Sequence, residues 1–386
     1  MAKDGPNLVV LPDADYDPKS YDKSDRQEQI DVASRAEFLA RLTEDDPYRV
    51  ERRQSVFAGG DFRFFYFNGT QKPIAGQTLT RRYFSPMSLD LGVRVRPIPE
   101  HVQFVFETRS FNIPSLSTQD IEWIAEGGTQ MRTAYLMVDD LPYATYMMAG
   151  LYKPMFGLET PDHTSLLNQI RFADNTPLTG DAYYQNNARS AEAVYKAVTI
   201  GGSPNVPFVN LHLIMPTEST NNAKFYRDSG YALNLGGRFV SYGASFMLSY
   251  WDTKGPRGSI TANPDLENKM LSLSGGFMLR NFIVNFDVTN VKREFLPGQA
   301  DAGTVSTIDA RYRIWRETYL KANWATSNVA RNLKQGSSTQ LSVGAKAYLI
   351  SGTSLDFDII NRDDKDTIND LDTKTDLALL QLHLYF

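Results

Sequence analysis

The stretch PMSLDLGVRVR, residues 86–96, changes character at every step. Met87, Leu89, Leu91, Val93 and Val95 fall on one side of an extended chain. Ser88, Asp90, Gly92, Arg94 and Arg96 fall on the other. Aspartate and arginine at alternate positions cannot line the core of a sandwich, so that face is wet. The opposite face is apolar and needs cover, yet the sequence around it shows almost no helical periodicity to supply it. An apolar face with no protein layer to pack on, repeated along a chain, predicts strands that face lipid.

The same alternation recurs to the C-terminus. Leu271, Leu273, Phe277 and Leu279 alternate with Ser272, Ser274 and Arg280, and Phe282, Val284, Phe286 and Val288 alternate with Asn285, Asp287 and Thr289. Ile308, Ala310, Tyr312 and Ile314 alternate with Asp309, Arg311 and Arg313. About sixteen such segments run from Val56 to Phe386, each near the nine to eleven residues of a tilted membrane strand. Short turns at Pro97–Glu100, Asp140–Pro142, Gly202–Val206, Val240, Asn281, Trp315–Glu317 and Ile350–Thr353 alternate with longer connections at 68–85, 112–130, 154–190, 216–229, 253–268, 292–304, 328–337 and 363–374. Two rims of different loop length predict an all-β, up-and-down antiparallel transmembrane barrel over 56–386, with the short turns on the periplasmic side.

Composition excludes several classes. No window approaches the apolar length of a membrane helix. Cysteine is absent, so disulfides, thiolate metal sites and covalently attached haem are excluded. A formal net charge of -5 leaves no basic footprint for nucleic acid. Aromatic residues reach 12%, which a barrel explains through girdles at the lipid boundaries. Tyr66, Phe67, Tyr83, Phe84, Tyr143, Tyr152, Tyr250, Trp251, Trp315, Tyr319, Tyr348 and Tyr385 lie near expected strand ends and are candidates for the girdles, with ordinary packing the alternative for each and the expectation for some.

Residues 1–55 read as a separate arm. Residues 1–50 hold seven Lys/Arg against twelve Asp/Glu, which is the whole net charge. Ser24 with Gln27, and Asp25 and Glu28 in the first turn, start a helix over about 25–43. Val32, Ala36, Leu39 and Leu42 form its apolar stripe, and Asp45, Asp46 and Pro47 end it. The arm is expected either to dock on the body, to plug the lumen, or to hold a periplasmic partner. No apolar leader follows Met1, so the chain is expected to be either cytoplasmic or a mature form, and the barrel pattern of the rest of the sequence favours the mature form of an exported protein.

About sixteen strands enclose a lumen too wide to be closed by wall side chains alone. The residues expected to line it are Arg63, Arg94, Arg96, Arg109, Lys153, Arg311, Arg313, Lys321, Asp61, Asp90 and Asp309. Arg94 and Arg96 between Arg63 and Arg109 make one basic strip, and Arg311 and Arg313 beside Lys321 make another. Opposed strips would attract anions, with the aspartates working against them. Asp162, His163, Thr164 and Ser165 hold acid, base and hydroxyl but are chain neighbours, not a converging triad. Glu159, Asp162 and His163 have no specific metal-ligand spacing. Neither an enzyme, a metal nor a cofactor is expected.

Two resemblances follow from particular residues. Ala378, Leu380, Leu382, Leu384 and Phe386 resemble the terminal strand by which outer-membrane barrels reach their insertion machinery. Gly150 to Glu159, GLYKPMFGLE, resembles the motif of phosphate-selective porins of the O/P type, with Lys153 as its lysine. That family implies a sixteen-stranded trimeric barrel with an anion path, although the dense lysine run of a phosphate pore is missing here.

The expected function is passive diffusion of small hydrophilic solutes, anions among them, through a charged lumen that the 154–190 connection narrows. The alternative is a scaffold or sheath in the outer membrane, plugged by its own arm or holding a lipoprotein or multihaem cytochrome. Expected partners are outer-membrane lipid and lipopolysaccharide, the insertion machinery and two further copies of the chain.

Overall fold

The computed structural model describes residues 56–73, 78–98, 101–111, 128–157, 194–202, 209–221, 224–227, 229–239, 243–256, 265–296, 299–315, 317–328, 336–350, 352–366 and 373–385. The expected arm helix, most of the 154–190 connection with Glu159 and Asp162–Ser165, and Phe386 lie outside them.

Strands follow one another in chain order. They are β1 (Val56–Pro73), β2 (Leu79–Ile98), β3 (Val102–Phe111), β4 (Gly128–Leu141), β5 (Thr145–Tyr152) and β6 (Val194–Gly202). Next come β7 (Val209–Asn221), β8 (Lys224–Arg227), β9 (Ser229–Phe239), β10 (Ala244–Pro256), β11 (Asp265–Leu279) and β12 (Phe282–Leu296). The last are β13 (Gln299–Trp315), β14 (Thr318–Ser327), β15 (Gly336–Ile350), β16 (Thr353–Asp366) and β17 (Thr373–Tyr385). Each strand pairs antiparallel with its neighbours, and β17 returns to β1 from Asp61↔Tyr385 to Pro73↔Thr373. Both β8 and β9 pair with β7, at Glu218↔Arg227 and Ile214↔Ala232, so they are two halves of one stave. The result is a closed barrel of sixteen staves. Closure satisfies every strand edge, which a bilayer demands because it offers no water to free N–H and C=O groups.

Burial follows the expected period. Leu273 is 49% exposed on the outside, whereas Ser272 and Ser274 face inward and are buried. Leu235, Leu248, Phe286, Ile308, Leu341 and Ile359 continue the exposed row around the barrel. An apolar belt of that extent has lipid as its solvent.

The structure corrects two expectations. The strands run beyond the apolar belt on the long-connection side. Pairing continues to Gln71↔Leu79 between β1 and β2, and to Leu296↔Gln299 between β12 and β13. Much of 68–85 and 292–304 is therefore strand. These ends carry no sustained hydrophobic alternation to reveal them, while backbone pairing still satisfies their amides. The second correction concerns the girdle. Tyr66, Phe84, Tyr143, Trp315, Tyr348 and Tyr385 are exposed, but Tyr152, Trp251 and Tyr319 are buried on the inward face. Tyr250 points outward on β10, so its neighbour Trp251 must point inward.

Candidate functional site: the barrel interior

The inward face divides into two layers along the barrel axis. Nearer the long-connection rim lies an apolar collar of Tyr152, Tyr195, Ile214, Ala232, Trp251, Met270, Val291, Val305 and Ala325, all buried. Phe65 on β1, Ile360 on β16, and Leu377 and Leu379 on β17 are buried at the corresponding level. Trp251 is 0% exposed; its ring meets Tyr195 edge-on at 5.1 Å, and its Nε1 donates to Thr253 Oγ1 at 3.0 Å. Burying an aromatic ring of this size stabilises by a few kcal/mol, provided its N–H finds a partner.

The chain leaving β5 turns onto this collar. Phe156 is buried with its ring edge-on to Trp251 at 6.4 Å. The Gly157 amide donates to Ser249 Oγ at 2.9 Å, and Asn234 Nδ2 donates to the Met155 carbonyl at 2.8 Å. Below them, the Tyr152 hydroxyl bonds Thr199 Oγ1 at 2.5 Å. Through Gly157, the connection expected at 154–190 therefore runs inside the barrel, with Lys153 half-buried at its root. Residues 158–193 are outside the described part.

Nearer the short-turn rim the same face carries charge. Arg63 pairs with Asp61 at 2.5 Å, and Arg109 spans both oxygens of Asp90, one at 2.5 Å. Arg311 pairs with Asp309 at 2.8 Å. Lys321 bridges Asp356 and Asp358, the latter at 2.7 Å. Arg313 donates to the neutral Asn281 amide oxygen at 3.1 Å, and the Arg96 guanidinium lies 4.9 Å from the centre of the Phe57 ring. Arg94 is exposed on the inward side of β2. The two basic strips read from the sequence thus sit interleaved with carboxylates, each within reach of its neighbours.

Two glycines let side chains meet across an intervening strand. Gly344 on β15 lies between Lys321 on β14 and Asp358 on β16. A Cβ there would come within 2.0 Å of the Phe357 carbonyl and 2.7 Å of Asp358 Oδ1. Gly201 on β6 lies under the bond from Tyr146 on β5 to His212 Nδ1 on β7, 2.7 Å long. A Cβ at Gly201 would meet both rings at 2.6 Å. Sequence reading missed these crossings, although a glycine inside a strand is a signal of close approach. It also missed Asn234 and Ser249 as anchors, and the hydroxyl cage of Ser272, Ser274 and Thr289 around Asp287. On the outer rim, Lys269 contacts Glu267 at 2.7 Å and holds that carboxyl below its usual range.

No protein-family model matches the chain, and no curated protein matches it in sequence. Solved structures do match in shape. The anion-selective porin from Comamonas acidovorans aligns with a TM-score of 0.59 at 12% identity, covering 86% of this chain and 99% of that one. The outer membrane channel DcaP of Acinetobacter baumannii aligns with 0.58 at 11% identity, covering 86% and 97%. The trimer form of OmpT from Vibrio cholerae aligns with 0.55 at 10% identity, covering 86% and 100%. Across this distance only the architecture, a closed antiparallel barrel, is shared with these outer-membrane proteins.

Proposed function

We propose that this protein is a bacterial outer-membrane porin through which small hydrophilic solutes diffuse passively. The carrying observation is a closed, lipid-belted barrel whose interior holds charges of both signs and receives the start of its longest connection. Fixed charges of both signs in a wide lumen are cheap only when water reaches them. In this reading Arg63, Arg94, Arg96, Arg109, Lys153, Arg311, Arg313, Lys321, Asp61, Asp90 and Asp309 line the path, and residues 154–190 narrow it.

Selectivity for anions is weak. Arg63, Arg109, Arg311 and Lys321 each contact a carboxylate, so the field they project is largely cancelled. Arg94, exposed on the inward side of β2, favours a modest anion preference. The anion-selective porin among the structural neighbours is consistent with that sign. A specific phosphate site has no further support from the interior. A homotrimer, contact with lipopolysaccharide and delivery through the strand ending at Phe386 belong to the same reading.

The test is single-channel current of the full-length protein in a planar bilayer, with reversal potential across a salt gradient. Steady ohmic conductance with a small anion-directed reversal potential is expected. A folded barrel that passes no current under any condition overturns the porin reading. A cation-directed potential overturns the anion preference.

A further inference from the structure

We propose that the lumen favours small amphiphilic organic anions, with an aromatic body against one wall and a carboxylate turned to the wall opposite. The proposal rests on the porin reading and names the class of solute that the path suits.

The charged layer near the short-turn rim is one-sided. With β8 and β9 as one stave, β4 and β13 stand eight apart in sixteen, and so do β5 and β14, so each pair faces across the lumen. Met137 lies four residues before the end of β4, as Arg311 does on β13. Met148 is the fourth residue of β5, as Lys321 is of β14. The strands of one barrel share one tilt, so equal counts from the same rim mean equal height. Arginine and lysine therefore look across at two thioethers.

The methionine wall is uncharged over most of its height. Met137 and Met148 are partners in the ladder, and their neighbours Leu136 and Met147 are exposed on the outside. Between Thr133 and Val138 on β4, and along all of β5, no residue is charged. Tyr135 lies on the long-connection side of Met137, half-buried and edge-on to Tyr152 at 5.8 Å. Tyr146 lies on the short-turn side of Met148, half-buried and bonded to His212. Thioether sulfur and tyrosine rings both favour contact with a further aromatic ring.

On the facing wall, the exposed member of an ion pair is the cation. The Arg311 side chain is 44% exposed, while that of its partner Asp309 is 10% exposed. Pairing cancels most of the long-range field, but a guanidinium carries several N–H donors, and Arg311 can hold Asp309 and still meet a passing carboxylate. A small hydrophilic solute gains little from the methionine wall, and a neutral ring gains little from Arg311. A ring that carries a carboxylate gains from both. In the porin reading the 154–190 connection narrows the path, which brings a passing solute to these walls.

The experiment uses the full-length protein in a planar bilayer, with sodium benzoate as the probe and sodium acetate as its match without a ring. Bi-ionic reversal potentials give the permeability of benzoate relative to acetate. The expected ratio exceeds that of the two anions' mobilities in free solution. Met137→Gln/Met148→Gln should lower it roughly threefold, the size of one thioether–ring contact. Arg311→Gln should lower the permeability of both anions relative to sodium. Heat-modifiable migration on gels checks that each variant has formed its barrel, and Met137→Gln alone is read where the double variant has not. A parent ratio at or below that of free mobility overturns the proposal, as does a ratio that the methionine substitutions leave unchanged. Anion permeabilities that ignore Arg311→Gln overturn the place of the carboxylate. If the parent passes no chloride current, the porin reading fails on its own account. Saturation-transfer NMR of benzoate on the barrel in detergent then decides the wall: a signal weakened by the methionine substitutions upholds it, and an equal signal overturns it.

Discussion

The two layers of the interior are made by one wall with one period, yet they are held together differently. The collar buries Trp251, Tyr195, Phe156 and Met270 among themselves and binds the incoming chain through Asn234 and Ser249. The layer beneath buries ionised groups and pairs them one with another, as Lys321 does with Asp356 and Asp358. Dispersion and area hold the first; geometry holds the second, because a desolvated charge is tolerable only with its partner in place. A lumen needs both: a fixed obstacle to set its width and a polar lining to pass water.

This contrast is broken most strongly at its apolar centre. Trp251→Ala should cost about 3–5 kcal/mol, as large cavities in packed sites do. Denaturant unfolding in detergent would read it, and an unchanged midpoint would mean that the collar is not a packed unit. Lys321→Met should cost roughly 3 kcal/mol, at the low end for breaking a buried pair, and should make the pore more cation-preferring. A reversal potential that does not move would place Asp356 and Asp358 outside the conducting path.

Gly201→Val should displace Tyr146 from His212 and cost about 1–3 kcal/mol through overpacking. Its signature is a changed Tyr146 environment in ultraviolet difference spectra with the barrel still formed. Asn234→Ala removes one anchor and leaves the Met155 carbonyl without that donor, for about 1 kcal/mol. Its clearer readout is conductance noise, since the inward segment is then less firmly held. Smallest is Lys196→Gln, which breaks an exposed pair to Glu218 on the outer wall and should shift stability by less than about 1 kcal/mol.

Much of the architecture was legible because the strand signal is local. Residues 86–96 and 269–291 announce their two faces without reference to the rest of the chain. All sixteen expected segments fall on staves of the barrel. The strand ends at Thr70–Pro73 and Lys292–Leu296 were not legible, since no sustained alternation marks the pairing there. The interior was half legible. Alternation placed Asp61, Arg63, Asp90, Arg109, Asp309, Arg311 and Lys321 on one face, but the pairings across strands depend on stagger. Trp251 was a girdle candidate by its type and position, with ordinary packing the alternative, and the alternation of its own strand points it inward.

The sequence by itself determined the alternation of the strands, their lipid-facing belt and the concentration of the net negative charge in residues 1–50. Those are sums over neighbouring residues, and a period of two survives any global arrangement. Only the tertiary structure decided that Lys321 meets Asp358 over Gly344, that Tyr146 meets His212 over Gly201, and that Phe156 closes on Trp251. These groups lie on different strands, and the register of a closed barrel, set by all its staves at once, brings them to one height.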